Sequence, residues 1–178
     1  MKISHSKLKG CVIIEPHVFG DERGFFLETF QAVRYEQVAG IDLPFVQDNH
    51  SKSNKGTLRG LHFQKINTQG KLVRVISGEV YDVAVDLRKN SSTFGEWVGE
   101  YLSAENKRQL WIPEGFAHGF ICLSKNCTVN YKCSNYRNPK YEKTLAWNDP
   151  KIKIKWPIKK PILSDKDKYG LNLNSFLF

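Results

Sequence analysis

The fold is decided by the stretch Glu79-Val80-Tyr81-Asp82-Val83-Ala84-Val85-Asp86-Leu87-Arg88. Every second residue from Tyr81 to Leu87 is apolar, and these side chains share one face because successive side chains of a strand point to opposite sides. The other face carries Asp82, Asp86 and Arg88. Since a pure core face would not hold three charges, we expect this strand to turn its polar side to water or to a polar cavity.

Short segments of the same kind recur along the chain, with turn signals such as Ser77-Gly78 and Asn138-Pro139 between them. Many short strands at regular spacing predict an all-β sandwich or barrel. A helical pattern of any length occurs at 31–39, and Ser164 is expected to cap a short turn with Asp167 three residues on. The strands are predicted at 11–15, 25–30, 45–50, 57–64, 71–76, 79–87, 97–102, 109–112, 119–123 and 128–133.

The composition predicts one folded domain over residues 1–178, since 40% of the residues are hydrophobic and 25% are charged. The net charge is +9, and most of the excess lies in 125–169, where 12 basic residues face four acidic ones. Such an excess of positive charge is typical of proteins that bind an anionic partner, namely nucleic acid, a membrane surface or a phosphorylated small molecule. It is equally typical of a solvated lysine-rich face, and composition does not choose between the two.

The remaining bulk features indicate a cytoplasmic protein without a membrane partner. No apolar run approaches the roughly 20 residues of a membrane-spanning helix, and residues 1–7 lack the apolar core of a secretory signal. Four cysteines without metal-binding spacing are expected to be small buried hydrophobic residues: Cys11, Cys122, Cys127 and Cys133.

The stretch 151–156 alternates lysine with apolar residues and predicts an amphipathic edge strand. Because aromatic residues are not interleaved along it, we expect no nucleic-acid partner.

Two polar segments are similar to the two cupin motifs, a strand bearing histidine and then the pattern P-x-G-x-x-H. The first is Arg59-Gly60-Leu61-His62-Phe63-Gln64, and the second is Pro113-Glu114-Gly115-Phe116-Ala117-His118. Metal-binding cupins carry a second histidine where this chain has Gln64, which is a poor ligand. With only two histidines the cage is incomplete, so we expect no catalytic metal.

A metal-free pocket with histidine, lysine and tyrosine suggests proton chemistry. A neutral His62 can accept a proton at cellular pH, and a lysine ammonium can stabilise the oxyanion that forms when a proton leaves a carbon beside a ketone. A tyrosine hydroxyl such as that of Tyr131 can return a proton on the opposite face. The residue types also fit a structural histidine and a buried core tyrosine, and by themselves they leave both interpretations open.

Further motifs stand in order along the chain: Asp21-Glu22-Arg23-Gly24-Phe25-Phe26-Leu27-Glu28, Phe45-Val46-Gln47-Asp48-Asn49-His50-Ser51, Gln69-Gly70-Lys71-Leu72-Val73-Arg74, Tyr131-Lys132-Cys133 and Leu163-Ser164-Asp165-Lys166-Asp167. With the two cupin-like segments, the ordered set closely resembles the dTDP-4-dehydrorhamnose 3,5-epimerase family, the RmlC-like cupins, from about residue 10 to residue 168. The resemblance implies an all-β cupin fold, a double-stranded β-helix or jelly-roll barrel with a few short helices. It also implies a homodimer that exchanges N-terminal strands at about 10–30, with a basic C-terminal tail at about 150–178.

The resemblance further implies a cofactor-free epimerase that inverts C3 and C5 of dTDP-4-dehydro-6-deoxyglucose to give dTDP-4-dehydro-L-rhamnose. The C4 ketone acidifies the protons of both carbons and serves as the electron sink. By the same resemblance, His62 is the base and Asp167 the carboxylate that orients it. Lys71 stabilises the enolate oxygen and Tyr131 reprotonates from the other side. The implied substrate contacts are Arg23, Glu28, Gln47, Asn49, Arg59, His118, Glu142 and Lys166, with Arg23 and Glu28 expected near the partner's pocket.

The chain departs from the family where many members carry two aromatic residues in tandem, the second stacking on the thymine base. Here the pair is Tyr136-Arg137, and since a guanidinium can also stack on a base plane, these two residues are the candidates for base stacking. A different nucleotide stays open. In a regular strand Arg59 falls on the face opposite His62, so either Gly60 marks a bulge that re-aims Arg59 or Arg59 reaches the pocket from a neighbouring direction. The alternatives in function are a 3- or 5-mono-epimerase of a related nucleotide-linked 4-keto-deoxysugar, and a non-catalytic sugar-binding or nucleic-acid-binding cupin.

Overall fold

The computed structural model describes residues 1–176, and strands dominate it. The two helices of this part are short. In chain order the elements are β1 (Lys2–His5), β2 (Val12–Glu15), β3 (Val18–Asp21), β4 (Gly24–Leu27), α1 (Ala32–Ala39), β5 (Gln47–Asn54), β6 (Leu58–Gln64), β7 (Lys71–Ser77), β8 (Glu79–Asp86), β9 (Trp97–Ser103), β10 (Gln109–Ile112), β11 (Phe116–Cys122), β12 (Asn126–Cys133), β13 (Glu142–Thr144), α2 (Asp165–Lys168) and a closing 3-10 turn (Leu173–Phe176).

Two antiparallel sheets build the molecule. One has the order β1-β2-β10-β7-β12-β5 and the other the order β13-β6-β11-β8-β9, whereas the hairpin β3-β4 forms a small sheet of its own. Buried side chains of both sheets pack on each other, among them Val73 and Val129 from the first and Ala84 and Phe120 from the second. This is the packing of a β-sandwich or jelly roll, so the predicted all-β architecture is confirmed.

The polar face of β8 is buried, which corrects the expectation that it could meet water. Asp82 and Asp86 are both 0% exposed. Asp82 accepts hydrogen bonds from His118, and Asp86 accepts from Arg88 and from two hydroxyl groups that follow it. Each buried carboxylate is thus hydrogen-bonded to polar groups. These bonds offset the free-energy cost of burying a charge away from water.

The C-terminal segment covers the outer face of the second sheet. Ile152, Trp156 and Leu173 pack there against Val83 and Val85 of β8. The predicted edge strand at 151–156 is wrong, because Asp149 Oδ1 accepts hydrogen bonds from two successive backbone N–H groups at 151 and 152 and turns the chain. The lysines of this stretch are exposed, so it is still amphipathic, with its apolar side chains on the fold.

The predicted helical pattern at 31–39 is confirmed as α1, which Gln31 caps by accepting from Arg34 N. The Ser164 cap of α2 is confirmed as well, because Ser164 Oγ accepts from Asp167 N. The four cysteines are buried and free, as expected. Neither helix within residues 1–176 has the length and apolar character that crossing a membrane demands.

Candidate active site

A cavity of about 260 Å³ opens between the two sheets, and most of the residues predicted to act on substrate line it. The wall combines side chains of β5, β6, β7 and β12 with the loop that precedes β13 and with α2. His62 and Tyr131 therefore face the same compartment. The lining residues are Gln47, Asn49, Ser51, Arg59, His62, Gln69, Lys71, Phe120, Tyr131, Arg137, Glu142, Ser164, Lys166 and Asp167.

His62 and Asp167 form a hydrogen-bonded pair, with His62 Nε2 2.5 Å from Asp167 Oδ1. Asp167 sits in the first turn of α2 and is 3% exposed. Burial raises the pKa of Asp167, but hydrogen bonds from His62, Ser164 and the Gly60 backbone outweigh burial and lower it below its usual range. Because the ionised carboxylate accepts the Nε2 proton, it fixes the neutral tautomer whose Nδ1 carries the lone pair. His62 is thereby prepared to act as a base through Nδ1.

Lys71 supplies a buried cation beside this pair. It is 7% exposed, and within residues 1–176 its one hydrogen bond goes to a neutral carbonyl, His62 O, at 3.4 Å. Burial lowers the pKa of Lys71, and the nearby Cys133, Glu142 and Asp82 offset this only in part. A partly unpaired ammonium on a cavity wall is suited to an oxyanion that develops next to it.

Tyr131 supplies a protonated phenol on the wall formed by β12. Its backbone lies directly opposite Asn49 of β5 and Val73 of β7. Burial, with smaller contributions from Cys133 and Glu142, raises the pKa of Tyr131 to about 12. The hydroxyl group therefore keeps its proton at neutral pH and can donate it to a reacting atom.

A bulge in β6 brings Arg59 to the same side as His62. His118 of β11 lies opposite His62, whereas Phe120 lies opposite Arg59, so β6 contains one residue more than β11 over this interval. Gly60 has a φ of 126°, and a Cβ atom there would lie 2.5 Å from the Gly119 Cα. Of the two possibilities that the sequence left open, the structure thus shows the bulge at Gly60, and Arg59 lines the cavity with its guanidinium held by Ser53 Oγ and Lys52 O.

The rim of the cavity is a cluster of charges centred on Glu142. Its Oε2 accepts from Arg137 Nη2 at 2.8 Å and contacts Lys166 Nζ at 2.8 Å. Burial alone would raise the pKa of Glu142, but these two cations hold it at about 2. The rim therefore keeps one positive charge after internal pairing, and with Arg59 it presents a site suited to an anionic ligand.

Four predicted site residues do not line the cavity. His118 is 5% exposed and donates from Nε2 to Asp82, whose oxygens lie 2.9 and 3.0 Å away; burial lowers its pKa more than Asp82 raises it. Arg23 pairs with Asp21, Glu28 pairs with Arg34, and Tyr136 is 69% exposed. Within one chain the structure does not bring Arg23 and Glu28 to the site.

Several lining residues were not predicted. Ser51 shares the strand face of Gln47 and Asn49, so strand periodicity could have identified it. Gln69 and Phe120 stand in motifs quoted from the sequence, but nothing in their residue types marks them. Asp82 does not line the cavity; it was recognised only as a polar-face residue because its partner His118 is 36 residues away in sequence.

The two cupin histidines are poorly placed for a metal ion. His62 lines the cavity but His118 does not, and the Gln64 amide is used by backbone groups. Residues 1–176 contain no group of three or more histidine, cysteine, aspartate or glutamate side chains that could hold a metal ion. The donor set thus does not fit a metal cage, and a metal-free site stays our prediction.

Comparison with known proteins assigns the family. A family model described as dTDP-4-dehydrorhamnose 3,5-epimerase matches residues 5–175. The chain belongs to this family. The dTDP-4-dehydrorhamnose 3,5-epimerase of Salmonella typhimurium strain LT2 is 57% identical over 169 residues, which cover 94% of this chain and 92% of the relative. The predicted family and the isomerase class of the epimerase are confirmed.

Solved structures of the family superpose closely. The crystal structure of the epimerase from Legionella pneumophila Philadelphia 1, in complex with dTDP-4-keto-L-rhamnose, has a TM-score of 0.95 and 54% identity, covering 97% of this chain and 93% of that one. The 3'-monoepimerase ChmJ from Streptomyces bikiniensis, in complex with dTDP-quinovose, has a TM-score of 0.89 and 33% identity, covering 95% and 86%. The cupin fold predicted for this epimerase is therefore confirmed.

Proposed function

We propose that this epimerase inverts C3 and C5 of dTDP-4-dehydro-6-deoxyglucose to give dTDP-4-dehydro-L-rhamnose, without a cofactor. The observation that carries the proposal is one cavity lined by the His62–Asp167 pair, the Lys71 ammonium and the Tyr131 phenol. The higher identity to 3,5-epimerases, 57% and 54%, than to the monoepimerase, 33%, favours inversion at both carbons.

Each inversion is a proton transfer through the face of an enolate. His62 Nδ1 takes the proton from a carbon beside the C4 ketone, and the electron pair of the C–H bond moves into the carbonyl. Lys71 stabilises the resulting enolate oxygen, while Asp167 stabilises the imidazolium. Tyr131 then donates its proton to the opposite face of the carbon, and both side chains exchange with solvent to return to their starting states. The same steps act at the second carbon.

The cationic rim suits the diphosphate of the substrate. Arg59, Arg137 and Lys166 lie around the opening, and guanidinium groups match phosphate oxygens in planar, paired hydrogen bonds. We place the nucleotide base near Tyr136 and Arg137. A phosphorylated small molecule thus accounts for the excess of positive charge at the site. We propose neither a nucleic-acid nor a membrane partner. Four free, buried cysteines support a reducing compartment, and so the cytoplasm, as the location.

The hairpin β3-β4 supports the proposed homodimer. It pairs with neither large sheet, and Phe19, Phe25 and Phe26 on it are 58%, 63% and 70% exposed. Phe19 and Phe26 lie opposite each other on one face of the hairpin and Phe25 lies on the other face, so both faces expose large apolar side chains, which is typical of an interaction surface. We propose that this hairpin joins the partner and carries Arg23 and Glu28 towards the partner's cavity.

Light scattering tests the dimer. We expect the protein at micromolar concentration to have about twice the 20.5 kDa mass of one chain. Phe25→Asp combined with Phe26→Asp should give a folded monomer with greatly reduced activity, because the apolar contact and Arg23 are both withdrawn from the partner. Ile162→Asp, which alters an equally exposed apolar side chain elsewhere, is the control. A monodisperse parent protein of single-chain mass would contradict the proposal.

The proposed function is tested by incubating chelator-treated protein with dTDP-4-dehydro-6-deoxyglucose and following the sugar by proton NMR. We expect a product inverted at C3 and C5, at a rate that the chelator does not change. Inversion at one carbon would replace the proposal with the mono-epimerase alternative. Binding of the nucleotide sugar without inversion would indicate a non-catalytic cupin.

The activity is expected to fall at alkaline pH as Lys71 loses its proton. Burial places the pKa of Lys71 below that of an ordinary lysine, whereas the pKa of Tyr131 is about 12, so the ammonium is lost first as the pH rises. We expect Lys71→Arg to move the alkaline limb of kcat/KM to higher pH, because a guanidinium stays charged. If Tyr131→Phe removed this limb and Lys71→Arg did not move it, Tyr131 would be the titrating group.

A further inference from the structure

Gln64 holds the loop that carries Arg137, and we propose that it is a positioning residue for substrate binding at the rim. The inference rests on the proposed function, because it takes Arg137 to contact the nucleotide end of the substrate. Gln64 is the last residue of β6, is 4% exposed and does not line the cavity. It therefore acts through its neighbours and not by touching substrate.

The side-chain amide of Gln64 is fully used on backbone groups. Nε2 donates to Asn67 O at 2.7 Å and to Tyr136 O at 3.2 Å, and Oε1 accepts from Asn138 N at 2.5 Å. Tyr136 and Asn138 flank Arg137, so one buried amide fixes the backbone on both sides of that residue. Residues 134–141 form neither helix nor strand, so side-chain bonds of this kind set the position of the loop.

The position of this loop controls several side chains of the cavity. Arg137 N donates to Gln47 Oε1 at 2.8 Å, and the Arg137 guanidinium donates to Glu142, which also holds Lys166. A shift of Arg137 thus disturbs three lining residues at the rim. His62 and Tyr131 have no hydrogen bond to Arg137 among the contacts of residues 1–176, so the shift should weaken binding and leave proton transfer intact.

The chemistry of the position explains why an amide stands there. Gln64 occupies the place where metal-binding cupins carry a histidine, and a neutral imidazole offers only one donor and one acceptor. The three backbone groups need two donors and one acceptor, which a primary amide supplies. A carboxylate of the same length would still accept from Asn138 N, but it would place an acceptor oxygen where Nε2 donates to the carbonyls of Asn67 and Tyr136. Gln64→Glu should therefore be at least as harmful as Gln64→Met, which keeps the length and removes the hydrogen bonds.

The test compares binding with turnover in Gln64→Met. We expect the Kd for dTDP by calorimetry and the KM for the sugar nucleotide to rise about tenfold, with kcat within about twofold of the parent, as loss of ordered hydrogen bonds predicts. In the double variant with Arg137→Ala, the loss of dTDP affinity should be smaller than the product of the two single losses, because Gln64 acts in part through the Arg137 side chain. Unchanged affinity in Gln64→Met, or fully additive losses in the double variant, would overturn the proposal.

Two further measurements separate positioning from folding and from the proposed function. Asn106→Leu removes a similar loop-holding amide, which bonds Tyr101 O and two backbone N–H groups; it should lower Tm without changing the Kd for dTDP. Amide hydrogen exchange of Arg137, measured without ligand, should accelerate about tenfold in Gln64→Met. An unchanged exchange rate overturns the positioning role, whereas a parent protein that binds dTDP but does not epimerise overturns only the proposed function.

Discussion

Replacing His62 by alanine is expected to slow inversion at both C3 and C5 by about 10³-fold or more, towards the upper range for loss of a general base. Inversion at both carbons should slow alike, because among residues 1–176 His62 is the one histidine that lines the cavity, with the Asp167 carboxylate bonded to it. Loss of the base also stops removal of the substrate proton, so exchange of hydrogen with solvent should fall as steeply as product formation. The measurement is the rate of each process by NMR in deuterated water.

Asp167→Asn tests the same base without removing the imidazole, because it keeps the size of the side chain, changes the tautomer of His62 and removes the charge that stabilises the imidazolium. An asparagine that donates to Nε2 would force the proton onto Nδ1, and the base would face the substrate already protonated. We expect a loss close to that of His62→Ala. His5→Ala, which removes an imidazole on β1, is the control for the histidine change. If His62→Ala kept exchange at either carbon, a second base would have to serve that carbon.

Tyr131→Phe is expected to separate proton removal from inversion. The phenyl ring keeps its contacts with His118 and the core, but no proton is delivered to the opposite face, so product formation should fall about 10²-fold or more. His62 still removes the substrate proton and can return a solvent deuteron to the face it came from. Recovered substrate should therefore carry deuterium without inversion, at an exchange rate within about tenfold of the parent.

Tyr101→Phe removes the hydroxyl of a half-exposed tyrosine on β9 and serves as the matched control. It should leave inversion and exchange unchanged. Inversion at the parental rate in Tyr131→Phe would show that another group, or a water molecule, reprotonates the enolate. Loss of exchange to the same extent as inversion would instead give Tyr131 a part in proton removal.

The alternation of apolar and polar residues correctly predicted most of the strands, but it did not predict which groups pack against them. The alternation in 79–88 correctly predicts β8 and places Asp86 on the same face as its partner Arg88, yet no local pattern indicates that Asp82 is buried against His118, which lies 36 residues away in sequence. The strands β1, β3 and β13 were not predicted because their short sequences, KISH, VFGD and EKT, do not alternate apolar with polar residues. The stretch 151–156 was wrongly predicted as a strand because a side-chain turn at Asp149 overrides its alternation.

In the candidate site, patterns within single strands predicted some shared faces but not the contacts between residues distant in sequence. Strand parity correctly grouped Gln47 with Asn49, but it placed Arg59 opposite His62, and only the bulge at Gly60 reconciles them. The His62–Asp167 pair joins residues 105 apart in sequence, and no spacing rule predicts such a contact. The pairing of His62 with Asp167 was predicted from the resemblance to the epimerase family. The positions of Arg23 and Glu28 depend on a second subunit, so they stay predictions.

The most direct test of the central claim is the mass of the sugar nucleotide product formed in deuterated water. If solvent-exchanging side chains remove and replace hydrogen at the two carbons that flank the ketone, the product carries two deuterons, at C3 and C5. Product inverted at both carbons but free of deuterium would contradict the account, because no imidazole or phenol in contact with solvent could then have carried the hydrogen.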